Sequence, residues 1–206
     1  MDITITGLQG NAVAPTAPVN KQSLVWNSTT SQWTPASSFP GQATLTTPVT
    51  VTNSEISVLS TTVPANTFQV GTTYRITAHG EAITIVNTDS FQFKLRIGPT
   101  TLTGSVIVDS GILPLNSFTG GAPFKIESVV TVTSIGSSAN GIGSFQTLSS
   151  GPVSTGFCSS DFVFNNRCNT SAFNSTVSNL VELTALTTAA TSSFKVQIAL
   201  IELVKP

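Results

Sequence analysis

Apolar and polar residues alternate with a period of two along most of this chain, the spacing of strands with one face buried. The clearest case sets Phe91, Phe93, Leu95 and Ile97 against Gln92, Lys94 and Arg96. Phe124, Ile126, Ser128, Val130 and Val132 likewise face one way, with Lys125, Glu127, Val129 and Thr131 facing the other. Val181, Leu183 and Ala185 oppose Glu182, Thr184 and Leu186. Weaker strand signals run over 56–63, 106–115, 141–148 and the aromatic-rich 157–164. Residues 72–86 predict one long strand kinked at Gly80, or two strands. Pro48, inside the Thr/Val-rich stretch 44–52, predicts an edge strand. No stretch keeps a 3.6-residue period over three turns, so no helix is expected. Roughly eight to ten strands at 8–15-residue spacing predict an all-β fold, a β-sandwich of jelly-roll type.

The final strand, 194–204, closes on Ile-Ala-Leu-Ile-Glu-Leu-Val and is apolar on both faces. A strand of that kind is covered on both sides. Simple alternation turns Val129, Leu186, Ile201 and Leu203 outward, and burying each contributes about 1.5–3 kcal/mol. The expectation is a homotrimer whose copies meet over these four residues.

Composition narrows the chemistry. Charged residues are 8% of the 206, against a hydrophobic share of 39% and a net charge of −1. That charge level is about a third of the usual one, and no basic run tracks phosphates, so nucleic acid is disfavoured as a partner. The opening Met-Asp-Ile-Thr has no basic region or apolar block of a signal peptide, and no apolar run is long enough for a membrane-spanning helix. Synthesis in a cytoplasm is the expectation, with no membrane insertion. Cys158 and Cys168 are the only cysteines; they are thiols in a reducing compartment. Paired in an oxidising medium they would add roughly 2–3 kcal/mol.

The single histidine, His79, lies two residues from Glu81, a pair with no third ligand or nucleophile in the local sequence. The acidic residues are scattered, without the local pairing that would suggest a glycosidase, and no hydrolase elbow, zinc-protease motif or phosphate loop occurs. No catalytic residue, metal site or cofactor is expected.

The first 35 residues break the alternating pattern. They hold both tryptophans, Trp26 and Trp33, with Pro15, Pro18 and Pro35 and one charge between Gly7 and Pro35, at Lys21. Ser23–Asn27 and Gln32–Thr34 flank a Ser/Thr turn and predict a hairpin that brings the two indoles together. Residues 36–43 read as a linker, which places an arm at 1–41 and a head domain at 42–206. The arm carries apolar anchors but no core of its own, so it orders against something else.

Gly7-Leu8-Gln9-Gly10-Asn-Ala-Val-Ala-Pro, followed by Ala17-Pro18, Gln22-Ser-Leu-Val-Trp26-Asn and Ser31-Gln-Trp33-Thr-Pro, resembles the N-terminal attachment segment of bacteriophage head-fibre and tail-fibre proteins. The rest is similar, more loosely, to the trimeric jelly-roll heads of phage decoration and fibre proteins. The resemblance implies a structural protein of the virion surface, made in the host bacterial cytoplasm. It would be anchored to phage capsid or tail proteins by Gly7, Leu8, Gln9, Gly10, Trp26 and Trp33. The attachment segment begins almost at Met1 without a long repetitive shaft, which favours the capsid. The alternative is a tail-fibre tip whose loops 117–124 and 157–173 grip a host-surface glycan by stacking and hydroxyl hydrogen bonds.

Overall fold

The computed structural model describes residues 7–8, 10–15, 22–27, 30–37, 42–85, 90–111, 113–114, 118–149, 166–188 and 193–205. They form strands and connecting turns without a helix. The chain divides into two compact units, Met1–Pro40 and Gly41–Pro206.

In the first unit, β1 (Gly7–Leu8) and β2 (Asn11–Ala12) pair across a turn at Gly10, whose φ of 78° suits glycine. Strands β3 (Gln22–Asn27) and β4 (Gln32–Ser37) form an antiparallel hairpin. Val13 adds a parallel bridge to Trp33, and the Ala14 amide donates to the Trp33 carbonyl at 2.8 Å. β4 therefore has backbone partners on both sides.

The second unit contains β5 (Ala43–Thr44), β6 (Val49–Val51), β7 (Ile56–Val63), β8 (Thr73–Ile85), β9 (Ser90–Gly98), β10 (Ser105–Asp109), β11 (Leu113–Pro114), β12 (Phe118–Ser134), β13 (Ala139–Ser149), β14 (Asn166–Phe173), β15 (Asn179–Thr187) and β16 (Ser193–Lys205). One sheet has the order β10-β9-β15-β7, with β11 also on β9. The other runs β14-β13-β12-β8-β16-β5, with β6 also on β16. The chain crosses between them from β6 to β7, β8 and β9, and returns from β15 to β16, so late strands pair with early ones. This antiparallel weave is the jelly roll that the alternation predicted.

Five phenylalanines tie the sheets together. Phe91 and Phe93 on β9 meet Phe124 on β12 and Phe194 on β16, with ring centroids 5.2–6.1 Å apart, and Phe145 on β13 stacks on Phe93 at 6.1 Å. All five are buried. β8 passes through Gly80 as one strand, and the segment around Pro48 supplies the short edge strands β5 and β6, one on each side of the proline. The expected strand at 157–164 lies outside the described residues.

One reading of the pattern is corrected. Ile201 is fully buried and Leu203 packs against the core, although alternation turned both outward. The cause is a β-bulge in β16, where the register against β8 slips between Val196 and Ile198. One extra residue moves every later side chain to the opposite face. Phe194 and Val196 point inward before the bulge, and Ala199 and Ile201 after it. Ile198 and Val204 are left exposed.

Candidate functional site

The β3–β4 hairpin pairs Trp26 directly with Trp33 and Leu24 with Pro35, while Val25 and Thr34 occupy the alternate position. Side chains opposite one another on a hairpin share a face, so Leu24, Trp26, Trp33 and Pro35 form one apolar strip. The indoles meet edge-on, with centroids 5.6 Å apart and planes at 63°. Leu24 is 36% and Trp26 39% exposed. A two-stranded hairpin with a solvated apolar face is marginal in water, and this strip gains most by docking on a partner. Of the other expected attachment residues, Gly7 and Leu8 lie on β1 and Gly10 in the turn; Gln9 is outside the described residues.

The four residues expected at a trimer interface do not share a surface. Val129 is half-buried on the outer face of the seven-stranded sheet, and Leu186 is half-buried on the outer face of the five-stranded sheet. Ile201 and Leu203 belong to the core side. Cys158 lies outside the described residues, as does the Cys168 side chain, and with them the expected pairing.

The outer face of the five-stranded sheet holds a polar cluster that alternation placed in solvent. Glu55, just before β7, accepts hydrogen bonds from Arg96 (Nε at 2.9 Å and Nη2 at 3.0 Å), Lys94 (3.2 Å) and the Thr184 hydroxyl (2.6 Å). Beside it, Glu182 and Thr184 are buried. The β9–β10 loop closes over Glu182: the Leu102 amide donates to Glu182 Oε2 at 2.9 Å, and Arg96 Nη1 donates to the Gly104 carbonyl at 2.9 Å. Leu102 has φ of 63°, in the left-handed region. The loop can close this tightly because Gly98 and Gly104 touch backbone to backbone, with no room for a Cβ on either.

Burial would raise the Glu55 carboxyl, but the hydrogen bonds from Thr184, Arg96 and Lys94 outweigh it and hold the group below its usual value. A depressed carboxyl adds stability above its unfolded-state value and loses it as pH falls through the folded-state value. Glu55→Gln is therefore expected to cost about 2 kcal/mol at neutral pH. Urea titrations across an acid series are expected to show the gap between wild type and variant closing. A gap constant with pH would remove the ion pairing from the account.

Of the aromatics in the loops expected to grip a glycan, the two whose side chains are described belong to the core. Phe124 and Phe173 are 4% and 5% exposed, because each falls on the inward phase of its strand. Residues 115–117 and 150–165 are outside the described set. A cleft of about 300 Å³ does open nearby, lined by Pro99, Thr103, Ser105, Ser137, Phe173 and Asn174, but the Phe173 ring is turned into the core against Phe68. His79 is exposed on β8, and Glu81 accepts from Gln197 at 3.0 Å. Among the described residues no three His, Cys, Asp or Glu side chains come together as a metal site.

No protein-family model matches this chain, and no curated protein matches it in sequence. Among solved structures it is similar to the infectious bursal disease virus VP2 subviral particle, at 10% identity and a TM-score of 0.34 over 88% of this chain and 37% of that one. It is also similar to the CBM2 module of the evolved Dit of Lactobacillus casei BL23 phage J-1, at 12% identity and a TM-score of 0.30 over 70% of this chain and 67% of that one. For the infectious bursal disease virus Gx strain the identity is 12% and the TM-score 0.26, over 94% of this chain and 47% of that one. The chain thus spans just over a third of the first of these, and at such TM-scores the likenesses carry no argument.

Proposed function

We propose that this chain is a non-catalytic structural protein of a bacteriophage particle, a trimeric head fibre or capsid decoration protein held by its N-terminal arm. The observation that carries this reading is the apolar strip Leu24–Trp26–Trp33–Pro35, presented by a hairpin in a unit of its own. The resemblance of residues 7–35 to phage attachment segments supports it. So does a jelly-roll body whose described core is built within residues 41–206.

The mechanism is burial multiplied by copy number. One arm seats two indoles and a leucine, each contributing about 1.5–3 kcal/mol on full burial. Joined on one trimer, three such arms rebind faster than all can leave together. The tail-tip alternative has less behind it, since the rings described in its loops face the core.

Cosedimentation with naked capsids of the parent phage tests the reading. The full chain is expected to pellet with capsids and not to adsorb to host cells. A chain lacking residues 1–40 is expected to stay in the supernatant. Trp26→Ala with Trp33→Ala in the full chain should weaken binding by about tenfold or more. Cell adsorption that survives the deletion would favour the tail tip instead.

A further inference from the structure

We propose that copies of this chain associate through the outer face of the seven-stranded sheet, centred on Arg75; the inference rests on the trimeric reading above and names its surface. The two outer faces differ in what covers them. On the five-stranded sheet the β9–β10 loop reaches over Glu182, 1% exposed, and Glu55 caps Thr184, 0% exposed. On the seven-stranded sheet no described residue of the same unit lies over the face across β13, β12, β8 and β16.

The register sets out that face in rows. Ile142, Thr131 and Thr73 form one; Ser144, Val129, Arg75 and Glu202 the next; then Gln146, Glu127, Thr77 and Leu200; then Lys125, His79 and Ile198. Ile198 is 59% and Ile142 46% exposed, unusual for isoleucines in the body of a sheet. The bulge after Val196 is what puts Ile198 there, so the slip that seats Ile201 in the core also builds this surface.

Charge points to a second copy as the occupant. Among the residues whose side chains are described, Arg75, Lys125 and Lys195 are matched on this face by Glu81, Glu127 and Glu202. A face of one sign would repel its own copy and suit a polyanion; a balanced face does neither. Arg75 sits between two carboxylates without seating on either, 3.9 Å from Glu127 and 4.0 Å from Glu202. Exposed pairs of this kind contribute little within one chain, which leaves the guanidinium free to bridge to a facing carboxylate. Four strands over about ten residues offer on the order of 600 Å² per copy, so three such faces turned toward one axis bury on the order of 1,800 Å² in the assembly.

Sedimentation equilibrium of the full chain tests this. Wild type is expected to run as an assembly. Ile142→Asp with Ile198→Asp should weaken association by about tenfold or more, with an unchanged far-ultraviolet spectrum. Val70→Asp, at an exposed position in the connection before β8, should leave the assembly intact. Arg75→Glu alone, and Glu127→Arg with Glu202→Arg, are each expected to dissociate, and all three changes in one chain are expected to restore the assembly, since every contact then regains opposite charges. An assembly indifferent to the isoleucine changes, equally sensitive to Val70→Asp, or not restored by the combined charge exchange would overturn the assignment of this face while leaving a trimer in place. A wild type that runs as a single chain would overturn the trimeric reading with it.

Discussion

Phe93→Ala is expected to cost about 3–5 kcal/mol, the largest loss of any single truncation in the head domain. Phe93 is fully buried at the middle of β9. Its ring lies 5.4 Å from Phe91, 5.9 Å from Phe124, 6.1 Å from Phe145 and 5.2 Å from Phe194. Truncation removes the apolar burial and also aromatic contacts worth about 0.5–1.5 kcal/mol each. The walls of the hole are strands of both sheets, which cannot close on it without sliding. Against a typical total of about 5–15 kcal/mol, urea denaturation should register a large fall in midpoint. A loss below about 1 kcal/mol would mean that the two sheets do not meet over this cluster.

Gly80→Ala should be the second, although it adds a single methyl. At a neutral site, replacing glycine by alanine stabilises by about 0.4–1 kcal/mol through the unfolded state. At Gly80 the sign reverses. A Cβ there would collide with the Lys195 carbonyl oxygen and stand 2.6 Å from Phe124 Cζ. Both neighbours are pinned, one as backbone of β16 and the other as a member of the phenylalanine cluster. The expected cost is about 3 kcal/mol, the upper range for overpacking. It should appear as a lower urea midpoint with an unchanged slope. Alanine tolerated within about 0.5 kcal/mol would show that β16 does not approach β8 so closely.

What was legible in the sequence follows from how local each cause is. Strands β9 and β12 were plain because their inward and outward residues differ in kind, Phe and Ile against Lys, Arg and Glu. The Trp26–Trp33 pairing was readable from two short apolar runs around one turn. The bulge in β16 was not, because Gln197 and Ile198 carry no mark of it; it arises opposite Gly80 and His79, more than a hundred residues earlier. The burial of Glu182 was hidden for the same reason, since it depends on a loop that closes through Gly98 and Gly104. Glu55 was passed over as one scattered acid. The signal available was its isolation near the start of a strand, with Lys94 and Arg96 on the polar phase of another. The sheet order itself joins β8 to β16 and β7 to β15, pairings between distant segments that no window of sequence reports. Composition alone did not separate Phe124 and Phe173 from loop rings, although strand phase turns both inward.

Electron cryomicroscopy of phage particles carrying this protein tests the central claim most directly. The expected map has the Trp26–Trp33 hairpin seated on a capsid protein and the jelly roll standing clear of the shell. A map with the jelly roll flush against the shell and the first forty residues turned away from it would contradict the account.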